Sequence, residues 1–316
     1  MISALLLTTY AAVAGTLGAG WLREARWPGL APRLAIAAWQ SLAVSVLLAL
    51  AAAGLALAIS FPHVNADLAA LFNLCAETFQ HSYASPGGAL TALVGVAVTL
   101  VLAARVLWCT TRASITDHRE RATRVAALDM VGRRNIVPGA LVVEHGAPYA
   151  FCIGGRHHRV VITSGLLATL GPAELKAVLA HEHAHLRQRH HTALVSCRAL
   201  FGTLAPLFPA FRAAMPLVRH YAELCADDSA RRRVGAGPLR DALARLALLP
   251  APNGTLAASA QDVEQRLTRL TGRPRRMPLV ASALTGTGIV AAVVVPLALA
   301  AGPALAIAWE GLCRVA

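Results

Sequence analysis

Long apolar runs dominate this chain and are interrupted by one extended polar stretch. Residues 2–22 and 34–60 carry no charged side chain, and 279–309 is uncharged up to Trp309 despite Pro296 and Pro303. Residues 87–111 hold only Arg105, near the end of the run, where a long side chain can snorkel to the interface. At 1.5 Å per residue, each run is long enough to cross a hydrocarbon layer of about 30 Å. The pattern therefore predicts four membrane-spanning helices. Three precede and one follows a polar segment of about 165 residues, enough for one compact domain.

Inside the polar segment the periodicity changes. Residues 113–135 set Arg119, Arg121 and Arg124 among Ile115, Val125, Leu128 and Val131, which predicts an amphipathic helix leaving the membrane and ending at Pro138-Gly139. Residues 140–144 and 149–153 alternate and are rich in β-branched and aromatic residues. Gly154-Gly155 turns the chain before 159–163, so a small antiparallel sheet is expected. His157 and His158 read as solvated turn residues. After a short connector, 164–170, a helix starts with Gly171 as N-cap, Pro172 as first residue and Glu174 at the positive end of the dipole. Residues 199–211 are apolar, contain Pro206 and Pro209 and are too short to span. They read either as a helical hairpin packed in the domain or as an element dipping into the membrane surface.

Composition and charge orient this arrangement. The chain is 56% hydrophobic and only 14% charged, with a mean hydropathy of +0.56, which excludes an ordinary soluble domain. The first run lacks a positive flank before it, and Arg23, Arg26 and Arg33 follow it. It reads as an anchor with its N-terminus outside, not as a signal peptide. The loop 61–88 has Asp67 and Glu77 and no Lys or Arg, so it belongs outside. Residues 112–278 carry a net +12 and belong in the cytoplasm. Positive-inside bias and attraction to anionic headgroups account for that excess, including Arg273, Arg275 and Arg276. With no aromatic-interleaved basic element, nucleic acid is not expected as a partner. The six cysteines contain no C-x-x-C pair, which argues against a cysteine zinc cluster. Cys75 in the outer loop reads as a buried thiol at the edge of a span.

The chemistry is concentrated in His181-Glu182-His183-Ala184-His185. On a helix, H-E-x-x-H places two imidazoles one turn apart with a carboxylate between them, a zinc site with its own general base. Chance would give this pattern about 0.01 times in a chain of this composition. His183 points elsewhere. A catalytic zinc needs three protein ligands and one open position, so a third ligand must come from a distant segment. Glu223 stands in Tyr221-Ala222-Glu223-Leu224-Cys225-Ala226-Asp227, where Asp227 is one helical turn further along the same face and can accept the free ring N–H of a ligating histidine. Taken alone, Glu223, Asp227 and Asp228 read as a solvated face balanced by Arg231, Arg232 and Arg233. An H-E-x-x-H lacking its third ligand reverses that reading. His220, Tyr221, His190 and His191 are candidate donors to a developing oxyanion.

His181-Glu182-x-x-His185 and Glu223-x-x-x-Asp227, set behind Ala150-Phe151-Cys152-Ile153-Gly154-Gly155 and Val160-Val161-Ile162-Thr163-Ser164-Gly165-Leu166-Leu167, resemble the membrane metallopeptidases of the BlaR/MecR type and their relatives, the HtpX and CAAX prenyl protease group. The resemblance implies a mainly α membrane protein. Residues 1–111 would form three spans, 112–278 a cytoplasmic α+β gluzincin-like zinc peptidase domain, and 279–316 a fourth span and short tail. It implies one Zn2+ held by His181, His185 and Glu223, with Glu182 as base and Asp227 behind a ligand. The antibiotic sensors carry a penicillin-binding domain after the last span. Here the chain ends at Ala316 and has no S-x-x-K, since Lys176 is preceded at that spacing by Ala173. A signal would then come from a sensor partner, from loop 61–88 or from the membrane. The implied substrate is a cytoplasmic regulator such as a transcriptional repressor, or the chain itself. A quality-control peptidase of the HtpX kind and a non-catalytic zinc-binding signalling protein are the alternatives.

Overall fold

The computed structural model describes residues 2–58, 86–155, 158–249, 260–272 and 277–313. The loop 61–88 up to residue 85, with Cys75, and also His157, Arg273, Arg275 and Arg276, lie outside the described residues. Four helices are long and apolar enough to cross a membrane: Ile2–Glu24, Pro32–Ala58, Gly88–Leu128 and Leu279–Gly302.

Span one is α1 (Ile2–Val13), a π-helical turn over Ala14–Gly18, and α2 (Ala19–Glu24). Span two is α3 (Pro32–Ala58). Span three runs without a break into the polar segment as α4 (Pro86–Val131), 46 residues long, so the expected separate amphipathic helix is its continuation. Small residues let spans two and three approach closely: a methyl group at Gly95 would lie 2.5 Å from the Gly54 carbonyl oxygen.

Strand β1 (Gly132–Val137) occupies the place where the hydrophobic pattern had extended the helix to residue 135. The hairpin to β2 (Ala140–Val143) explains the difference. Gly139 adopts φ 77°, which only glycine enters cheaply, and Pro138-Gly139 turns one strand into the next instead of ending a helix. β3 (Ala150–Ile153) and β4 (Arg159–Thr163) complete a sheet of order β1-β2-β4-β3. The sheet is mixed, because β2 pairs with β4 in parallel while the other pairs are antiparallel. Both faces are covered: Val160 and Ile162 pack with Val178, Leu166 and Leu170 on one side, and Val161 packs with Leu128 and Leu141 on the other. The connector expected at 164–170 is a short helix, α5 (Ser164–Thr169), capped by the Thr163 hydroxyl accepting from the Leu166 N–H at 3.2 Å.

Helix α6 (Pro172–Arg187) begins at Gly171, whose N–H donates to Glu174 Oε2 at 2.8 Å. It leads to α7 (His190–Leu204), α8 (Ala210–Val234), α9 (Ala236–Ala247), α10 (Ala260–Thr271) and the last span, α11 (Leu279–Cys313). The hairpin formed by α7 and the start of α8 packs on the spans. Phe201 and Phe211 stand edge-on or tilted around Trp39 of α3, and Phe208 fills the space over Gly15 in span one. Arg105 of span three is tied to α7. Its Nε and Nη2 donate to the carbonyls of Thr203 and Gly202, at 2.8 and 2.9 Å, in the last turn of α7. Those carbonyls have no partner within the helix, and a cation suits a helix C-terminus. One apolar cluster thus joins Leu7, Trp39 and Val46 to Phe201, Phe211, Val218 and Cys225.

Candidate metal centre

The site forms where α6 and α8 cross, close to the start of span two. Arg33 donates to Gln188 Oε1 at 3.1 Å, and Gln188 Nε2 donates to the Cys225 carbonyl at 3.3 Å. This side chain ties the end of α6 to both α3 and α8. α8 buries Phe211, Ala214 and Val218 in its first half and is more densely charged in its second, where Glu223 and Asp227 project one turn apart toward α6.

His181 Nε2 and His185 Nε2 lie 3.1 Å apart, Glu223 Oε2 is 3.3 Å from His181 Nε2, and Glu223 Oε1 is 3.4 Å from His185 Nε2. Ligand atoms 2.0–2.1 Å from one tetrahedral ion stand about 3.3 Å from one another, so these separations fit zinc bound by two imidazoles and a carboxylate. Among the described residues this is the group of three able to hold a metal ion. Charge supports the same fit: Glu182, Glu223 and Asp227 converge here against one guanidinium, that of Arg266, an excess of negative charge that a divalent cation neutralises.

Each of the three side chains is held from behind. His181 is buried, and its Nδ1 lies 2.9 Å from Asp227 Oδ1. Burial alone would lower its pKa, but its contacts with Asp227 and Glu223 raise it to about 10. Burial pulls His185 down to about 3. Burial works to raise the carboxyl groups of Glu223 and Asp227, yet both are held low: Glu223 chiefly by His181, and Asp227, at about 2, chiefly by Arg266. Glu182 is raised by burial, and the Cys152 thiol of β3 lies beside it.

The remaining sequence candidates fall elsewhere. His183 turns away, its Nδ1 2.7 Å from the Leu179 carbonyl. His220 Nδ1 sits 3.0 Å from Asp262 Oδ1 on α10, and Tyr221 is buried in the apolar cluster shared with the spans. His191 is next to Thr192 Oγ1 at 3.1 Å, whereas His190 is buried against His185. Two contributors, Arg266 and Cys152, escaped the sequence reading. Arg266 donates through Nε and Nη2 to both oxygens of Asp227, at 2.7 and 2.8 Å, and its Nη1 is 3.2 Å from Glu223 Oε2. It lies 81 positions past His185 in a helix rich in charge, where nothing local marks it as buried. Cys152 belongs to no cysteine pair, so nothing in its spacing marked it.

Residues 116–246 match the model of Peptidase family M48. Among curated proteins, the chain is similar to Protease HtpX homolog 2 of Methanosarcina mazei, 37% identical over 92 residues that cover 27% of this chain and 30% of that one. It is also similar to Protease HtpX homologs of Acidiphilium cryptum, 35% identical over 69 residues (21% and 24%), and of Thermoplasma acidophilum, 41% identical over 63 residues (19% and 20%). The chain thus matches under a third of the length of these relatives. No solved structure matches. The segment that supplies His181, Glu182, His185, Glu223 and Asp227 is similar to Peptidase family M48, and it is carried by a chain with four helices long and apolar enough to cross a membrane.

Proposed function

We propose that this chain is an integral-membrane zinc-dependent endopeptidase whose site faces the cytoplasm, on the arginine-rich side of the bilayer. The observation that carries this reading is the convergence of His181, His185 and Glu223 beside Glu182. When bound, zinc supplies a Lewis acid that polarises the scissile carbonyl and lowers the pKa of water to about 7. Glu182 takes the proton of the attacking water and returns it to the leaving amine. Burial raises its pKa, which makes it a stronger base. Asp227 orients His181, and Arg266 holds both Asp227 and Glu223.

β3 pairs only with β4 among the described residues, so its other edge can receive an extended peptide. Cys152 on β3 contacts the base, which brings that edge to the reacting carboxylate. The orientation rests on the net charge of +12 over 112–278.

Two substrate classes follow. A cytoplasmic regulator such as a repressor is what the BlaR/MecR likeness implies. Membrane proteins taken for quality control are what the HtpX likeness implies, and the similarity to Protease HtpX homologs favours the second. The start of span two reaches the metal site through Arg33 and Gln188, which suits bonds cleaved at the membrane surface.

Glu182→Gln in the full chain is the test. Peptidase activity in membranes should fall by about 10²–10⁴-fold with zinc content unchanged. The same variant should retain its substrates for identification by crosslinking. Undiminished activity would remove Glu182 from the mechanism, and an inactive wild-type protein with bound zinc would leave the non-catalytic zinc-binding alternative standing.

A further inference from the structure

The two histidines of the site are supported differently. His181 Nδ1 faces the carboxylate of Asp227, whereas His185 Nδ1 lies 2.9 Å from Nδ1 of His190, with the rings edge-on at 87°. Two facing ring nitrogens at that distance share one hydrogen. With Nε2 of His185, which faces His181 and Glu223, given to a metal, the remaining ring proton sits on Nδ1 and His190 presents Nδ1 as a lone pair. His190 is only 4% exposed. The backbone delivers it there at a cost. Arg189 has φ 51°, the one positive φ at a non-glycine residue among the described residues, and this left-handed turn folds the start of α7 back over the end of α6.

We propose that His190 is a positioning residue for this centre: it accepts the Nδ1–H of His185, fixes that ligand's tautomer and ring plane, and so sets the affinity of the site for its metal. The proposal deepens the metallopeptidase reading and rests on it. A ligating histidine usually donates its second N–H to a carboxylate, a carbonyl or water. Here the acceptor is another imidazole, supplied five residues further on.

The test uses the full chain in detergent, stripped of metal and titrated with Zn2+ and Co2+ against a chromophoric chelator. Asparagine places its side-chain oxygen where Nδ1 stands, whereas leucine removes the acceptor. His190→Leu should weaken metal binding by about 10–100-fold and alter the Co2+ absorption spectrum, while His190→Asn stays within about threefold of wild type with an unchanged spectrum. If leucine prevents folding, His190→Phe keeps the ring shape without an acceptor. Wild-type affinity and spectrum in the acceptor-less variant would overturn the proposal. So would an equal loss in the asparagine variant, because a packing role treats both alike. If His185→Ala and Glu223→Gln also leave metal binding unchanged, the metal centre itself falls, a result distinct from failure of His190 alone.

Discussion

Helix α8 lives in two environments, and its halves are held by different physics. Its first half places Phe211, Ala214 and Val218 among the spans, where Trp39 and Phe201 surround Phe211 through apolar contact. Its second half places Glu223 and Asp227 among His181, His185 and Arg266, where nearly every neighbour is charged or titratable. In the apolar half many weak contacts share the load, so one imperfect contact is tolerated. In the polar half a few groups carry large and opposed terms, and removing one leaves its partners buried without compensation.

The sharpest way to break that contrast is Arg266→Met, which keeps length and removes charge. Both Asp227 oxygens and one Glu223 oxygen lose their guanidinium. The metal-free protein should lose about 3–5 kcal/mol of stability, the cost of breaking a buried ion pair from one side. Zinc brings a cation to the same carboxylates, so the loss should be smaller in the loaded protein. Thermal unfolding in detergent, with and without zinc, reads both. An unchanged melting point in the metal-free variant would mean that charge does not hold this half of the helix.

The same contrast explains how much of the molecule was legible in the sequence. Four apolar runs announced four long helices, because in a bilayer burial depends on composition alone. The five-residue motif put His181 and His185 on one face, because helical spacing is a local property. Strand β1 was misread because Gly132-Arg133-Arg134-Asn135-Ile136-Val137 continues a charged, helix-compatible pattern, and only its pairing with β2 makes it a strand. The partners of Arg105, the carbonyls of Gly202 and Thr203, were not legible because they are nearly a hundred positions away. Arg266 was invisible as a site residue for the same reason, and His190, expected as a donor to the oxyanion, stands instead behind His185: both placements come from tertiary packing.

Within the bundle, the contact between Gly54 and Gly95 is the most exacting, because the backbones nearly touch. Gly95→Leu would force a side chain into the Gly54 carbonyl and the Ala58 amide, each 2.5 Å from the first added carbon. Spans two and three must then separate, at a cost of about 1–3 kcal/mol, as overpacking usually exacts. The effect should appear as a lower melting temperature in detergent. Zinc affinity should change little, because α6 and α8 hold the ligands without help from that crossing. A large fall in zinc affinity would show that the bundle and the site are not separable.

The smallest expected effect comes from a polar contact that ties spans one and four. Pro296 has no N–H, so the carbonyl of Ala292, four residues earlier, has no helical partner, and the Tyr10 hydroxyl donates to it at 2.7 Å. Tyr10→Phe removes that donor and keeps the ring. Hydrogen bonds between helices in bilayers contribute about 0.6 kcal/mol on average, so stability should fall by roughly that much. Pro296→Ala supplies the missing N–H within the helix, and in that background Tyr10→Phe should have almost no effect. The double-mutant cycle therefore isolates this bond. A coupling of several kcal/mol would mean that single polar contacts dominate the bundle as they do the site, and the distinction between the two halves of α8 would lose its basis.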